Sequence, residues 1–103
     1  MTTFDDRESA FENKFAHDEE LRFKAMARRD RLVGLWAAET LGKAGEDAEA
    51  YARSVVSVNL TKPGDEVVFE KLRADLPAEI PDAEIRKQML DLLARAVREI
   101  ETQ

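Results

Sequence analysis

The clearest pattern in the chain lies near its C-terminal end, where Ile85, Met89, Leu92, Leu93, Ala96, Val97 and Ile100 recur at i, i+4, i+7, i+8, i+11, i+12 and i+15. That spacing predicts an amphipathic helix with one buried face. Pro81 cannot continue a helix from the preceding residues, and Asp82 can accept a hydrogen bond as N-cap, so the helix is expected to start near Asp82. Its opposite face carries Arg86, Lys87, Asp91, Arg95, Arg98 and Glu99.

Two shorter elements precede it. Ala48, Tyr51, Ala52, Val55 and Val56 mark one helical face, although the β-branched run from Ser54 to Val58 favours a strand locally. The apolar period extends beyond that run and no second strand is available to pair with it, so helix is the expectation. Pro63-Gly64 reads as a turn. Val68, Phe69, Leu72 and Leu76 then give a second apolar face, which Leu76-Pro77 ends because proline disfavours helical dihedrals at the residue before it.

The first segment, from Phe4 to Leu41, contains no proline, and its first plausible stop is Gly42-Lys43-Ala44-Gly45, where glycine can adopt a left-handed C-cap. Thr3 followed by Asp6 loosely fits a capping box. From Leu21 onward Ala25, Leu32, Leu35, Trp36, Ala38 and Leu41 are dense enough to join a core. Before Leu21 the only large apolar side chains are Phe4, Phe11 and Phe15.

These elements predict an all-α fold. A four-helix bundle over residues 20–103, with helices near 18–41, 46–60, 65–76 and 82–101, follows from loops of about two to six residues, which favour antiparallel neighbours. A flexible or partly helical arm, residues 1–19, precedes it.

Composition narrows the chemistry. The 103 residues are 44% hydrophobic, 37% charged and 7% aromatic, with four Gly and three Pro, which suits a charged helical protein and not a sandwich or barrel. The absence of Cys removes disulfides, thiolate zinc sites and cysteine nucleophiles. A single His removes multi-His metal sites. Net charge is −6, which disfavours nucleic acid or an anionic membrane as main partner. No secretory signal or membrane-spanning run is visible, so the expected location is the cytoplasm. Divided by segment, the charge is −5 over residues 1–20, +4 over 21–34 and −5 over the remainder.

The acidic arm is also the aromatic one. On a helical wheel Phe11 and Phe15 fall within about 20° of Phe4, so a helical arm would carry one narrow aromatic stripe flanked by acids. Two readings stay open: the stripe docks on the protein's own bundle, or it is presented to a groove on a partner. The cluster Arg28-Arg29-Asp30-Arg31 reads first as a solvated helix face. Arg28 and Arg31, with Trp36 two turns away, are the candidate platform for a nucleotide phosphate and base, although the four consecutive residues cannot form one patch. His17 beside Asp18, Glu19 and Glu20 is either an exposed bystander or a pH sensor, and adjacent ligands on a helix diverge too far for a specific metal site. No nucleophile elbow surrounds Ser9, Ser54 or Ser57, and no phosphate loop exists, so an enzyme is not expected.

The stretch Lys14-Phe15-Ala16-His17-Asp18-Glu19-Glu20-Leu21-Arg22-Phe23-Lys24, followed by Ala27-Arg28-Arg29-Asp30-Arg31-Leu32-Val33-Gly34-Leu35-Trp36-Ala37-Ala38-Glu39-Thr40-Leu41-Gly42, resembles the zeta subunit of alphaproteobacterial F-type ATP synthases. Lys71-Leu72-Arg73-Ala74-Asp75-Leu76 and Ile85-Arg86-Lys87-Gln88-Met89 fit as well. Asp30 stands where Asn is expected. The resemblance covers nearly the whole chain and implies a regulatory inhibitor of ATP hydrolysis by the catalytic head, peripheral to the membrane through the synthase. It implies an N-terminal inhibitory segment entering an interface between alpha and beta subunits beside the gamma stalk. Carried onto this chain, that segment is about residues 1–19, with Phe4, Phe11 and Phe15 as anchors and Arg7 and Lys14 as the cations among them. It also implies ADP or ATP as a regulatory ligand, with no required cofactor. The expected free protein is monomeric, its arm largely disordered until it becomes a continuous helix in the enzyme. The competing readings are an adenine-nucleotide-sensing module with a structural arm, and a bundle that uses the arm to form homo-oligomers.

Overall fold

The computed structural model describes residues 18–102. Four helices follow one another in chain order: α1 (Glu19–Thr40), α2 (Gly45–Thr61), α3 (Asp65–Asp75) and α4 (Asp82–Glu101). No strand occurs among the described residues. The segment Ser54 to Val58 lies inside α2, so the 3.6-residue period of its apolar positions prevails over local β propensity. The aromatic arm and its Thr3–Asp6 capping box lie outside the described residues.

The helix ends explain where the chain turns. Asp18 caps α1: its backbone is extended, and its side-chain oxygen accepts from the Leu21 amide at 3.1 Å. At the other end Gly42 takes φ 78°, and the Gly42 and Lys43 amides donate back to the Glu39 and Ala38 carbonyls at 3.0 and 2.8 Å. This is the paired C-terminal closure that glycine permits without a Cβ clash. Asp82 departs from expectation. Pro81 occupies the cap position with no side-chain bond, and Asp82 is the first helical residue. Its carboxylate instead accepts from Arg73 at 2.7 Å, while Arg73 also donates to the Pro77 and Ile80 carbonyls, pinning the α3–α4 turn.

α1 packs along both α2 and α4, and α3 closes the remaining side against the same two helices. The core joins Val33 and Ala37 of α1, Val55 of α2, Val68, Phe69 and Leu72 of α3, Leu76, and Ile85 and Met89 of α4. Full burial of side chains such as Leu72, Ile85 and Val33 stabilises by about 1.5–3 kcal/mol each. All seven apolar positions of the C-terminal pattern are buried or half-buried. On α1 the core line is narrower than expected: Leu32, Leu35, Trp36 and Leu41 are only half-buried, while Val33, Gly34, Ala37 and Ala38 are inside. Gly34 shows why. A Cβ there would lie 2.7 Å from the Ala52 Cα, so α1 and α2 meet backbone to backbone and the larger side chains flank the seam.

Candidate functional site

The first half of α1 (Glu19 to Asp30) and the end of α2 form the walls of an open groove of about 1160 Å³. Phe23, Met26 and Ala27 line it from α1, Val56 and Leu60 from α2, and Leu93 from α4. Phe23 and Leu60 are each 58% exposed, unusual for large apolar side chains that flank the same depression. Glu19 and Arg22 edge one end, and Pro63, Gly64, Asp65 and Glu66 the other.

Beneath the groove lies a polar network that the sequence reading placed on a solvated face. Arg29 and Asp30 are both 1% exposed. The Arg29 Nε donates to Asp30 Oδ1 at 2.8 Å, and its terminal nitrogen donates to Asp65 Oδ1 at 3.0 Å. Asn59 donates to Asp30 Oδ2 at 2.6 Å and accepts from the Gly64 amide at 2.9 Å. One network therefore ties α1 to α2, to the α2–α3 turn and to the start of α3. Burial pushes the Asp30 carboxyl above its ordinary value, against the opposing pull of Arg29 and the Asn59 amide. Two charges are tolerated there because each meets an opposite charge and further donors or acceptors, the condition under which buried ions persist. The signals in the sequence were Asn59 just before Pro63-Gly64 and Asp65 just after, but nothing linear connects them to Arg29.

The candidate phosphate ligands are held by carboxylates. Arg31 makes a forked contact to Glu49 of α2 at 2.9 and 3.0 Å, and Arg28 lies 3.6 Å from Glu99 of α4. The two arginines thus reach toward different helices. Trp36 is half-buried against the apolar core farther along α1. Phe4, Arg7, Phe11, Lys14, Phe15 and His17 lie outside the described residues.

Other polar groups serve the bundle. Tyr51 donates to Asp75 at 2.9 Å, and burial together with that bond pushes its hydroxyl well above its ordinary value. Lys71 bridges to Asp75 over the Tyr51 ring. Arg86 forks onto Glu66 and stacks 3.9 Å over the Phe69 ring, which lowers the Glu66 carboxyl and raises the guanidinium. Among the described residues no group of three or more His, Asp or Glu side chains could hold a metal ion, and no helix is long and apolar enough to cross a membrane. The site offers an apolar trough over a satisfied polar floor, suited to receiving an amphipathic segment.

Comparison with known proteins adds three findings. A family model described as ATPase inhibitor subunit zeta matches residues 1–99. A protein whose structure was solved by solution NMR is similar over 80% of this chain and 96% of its own, at 43% identity and a TM-score of 0.73. No curated protein matches the chain.

Proposed function

The chain belongs to the ATPase inhibitor subunit zeta family and regulates the F-type ATPase by inhibition; from that premise we propose that its N-terminal helix, residues 1–19, wedges into an alpha/beta catalytic interface beside the gamma stalk. The partners in this reading are the alpha, beta and gamma subunits, on the cytoplasmic side. The reading rests chiefly on a family match that spans both the aromatic arm and the bundle. It is supported by the division of labour between them: the four described helices supply the core, while Phe4, Phe11 and Phe15 would share one stripe of a helical arm, open to a partner.

A wedge needs no chemistry of its own. Three phenylalanines buried in an intersubunit cleft stabilise the complex by about 1.5–3 kcal/mol each, and the gain must exceed the cost of ordering the arm. For the arm to run continuously into α1, the Leu21 amide must exchange the Asp18 side chain for the carbonyl of residue 17 as its acceptor. The bundle then limits the depth of insertion.

The test is ATP hydrolysis by a purified alphaproteobacterial catalytic head with the full-length chain and with a chain lacking residues 1–17, which retains the Asp18 cap. The expected result is inhibition by the first and its loss in the second, with the truncated chain still helical by circular dichroism and unfolding cooperatively. Full inhibition by the truncated chain would overturn the proposal. A second reading, an adenine nucleotide on Arg28, Arg31 and Trp36, comes from the residue pattern alone, and at Arg31 a phosphate would have to displace Glu49.

A further inference from the structure

We propose that, in the free protein, the chain's own residues 4–15 occupy the groove between α1, α2 and α4, with Phe4, Phe11 and Phe15 set between Phe23 and Met26 on one wall and Val56 and Leu60 on the other. Exposed apolar side chains scattered singly need no explanation, but Phe23 and Leu60 face one trough that Met26, Val56 and Leu93 extend. The occupant is identified by where the described chain begins. Asp18 has φ −113° and ψ 98° and caps α1, so the helix starts there, at the lip of the groove that Glu19 lines. That extended backbone turns the chain off the α1 axis at the lip, and in the docked form residues 16–18 would be a connection of the length that joins antiparallel helices.

Length and the apolar lining agree with this occupant. A helical stripe from Phe4 to Phe15 is about 17 Å long, and the stretch of α1 from Glu19 to Asp30 that edges the groove has the same length of about 17 Å. The floor asks for no polar partner, since Asp30 and Asn59 are already satisfied by Arg29 and by each other. An apolar stripe can therefore cover it without orphaning a buried polar group. Charge is not the driving term, since the rim carries Glu19, Asp65 and Glu66 against Arg22, and the segment carries Asp5, Asp6, Glu8 and Glu12 against Arg7 and Lys14; burial of the apolar stripe is. Docking of this kind competes with insertion into the catalytic head. The apparent affinity for the enzyme falls by the fraction of molecules whose arm is free, so an arm docked nine-tenths of the time weakens it about tenfold.

The chain has no cysteine, so Thr3→Cys gives a unique attachment point for a nitroxide. In the isotope-labelled full-length chain, the expected result is paramagnetic broadening of the Met26, Val56, Leu60 and Leu93 methyl signals that exceeds that of Leu41, which lies about 17 Å beyond Asp30 along α1. Leu60→Glu, at a 58% exposed position, should abolish the broadening while leaving the melting temperature within a few degrees. Phe23→Ser on the opposite wall gives the same readout should the first variant disturb folding. Broadening that is absent, that is spread evenly, or that survives both substitutions overturns the proposal. So does equal broadening when nitroxide-bearing unlabelled chain is mixed with labelled chain, which would make a second copy the occupant. The measurement needs no catalytic head, so its failure leaves the inhibitory wedge untouched.

Discussion

Two neighbouring stretches of α1 reverse the usual relation between polarity and burial. Phe23 and Met26 line an open groove, with Phe23 more than half exposed, whereas Arg29 and Asp30, one turn later, are almost completely enclosed. The difference lies in what crosses the helix. At Arg29 and Asp30 the end of α2 and the start of α3 deliver Asn59 and Asp65, which compensate the charges. At Phe23 none of the described helices crosses from outside, and α2 supplies only the far wall. Burial on this helix is thus set by the neighbours available at each level, and the exposed level is the one adjoining the arm.

The sharpest way to break the contrast is Arg29→Ala. It leaves Asp30 enclosed with Asn59 as its remaining side-chain partner, and loss of one member of a buried pair costs about 3–5 kcal/mol. Urea denaturation should show that loss; a change below about 1 kcal/mol would mean that water reaches Asp30 and that the pair is not truly interior.

A smaller effect sharpens the same point through pH. Because burial raises the Asp30 carboxyl, the folded state holds its proton more tightly than the unfolded chain, where the value is near 3.9. Its contribution to stability is then fully present below that unfolded value and declines as pH rises through the folded one. Asp30→Asn cannot titrate. The stability of the native chain relative to this variant should therefore fall as pH rises above about 4, read from denaturation midpoints across the acid range. A relative stability that rises over that range would mean that Arg29 outweighs desolvation.

The smallest effect belongs to the exposed level. Phe23→Ala should change the stability of the chain lacking residues 1–17 by no more than about 0.5 kcal/mol, since the side chain is mostly in water. A loss above about 2 kcal/mol in thermal unfolding would place Phe23 in the core and close the groove.

Much of the bundle was legible along the chain. Periodicity located α4 and α3 because their apolar faces are continuous, and Gly42 and Pro63-Gly64 marked turns whose geometry depends on local backbone freedom. The core line of α1 was misread because large apolar residues were expected inside. The close approach at Gly34 and Ala52 instead puts the small residues at the seam and leaves Trp36 and Leu35 at its flanks. Arg29 and Asp30 looked like part of a solvated cluster because their partners stand about 30 to 36 residues away and carry no linear mark.

What the sequence determined by itself is therefore what short-range physics governs: the approximate bounds of the four described helices, and the segregation of an acidic aromatic arm from a segment rich in arginine. Tertiary structure decided the rest. Whether a charge is interior, and whether a phenylalanine is covered, depends on residues brought together from distant parts of the chain, because desolvation and its compensation are properties of the assembled neighbourhood and not of any one helix.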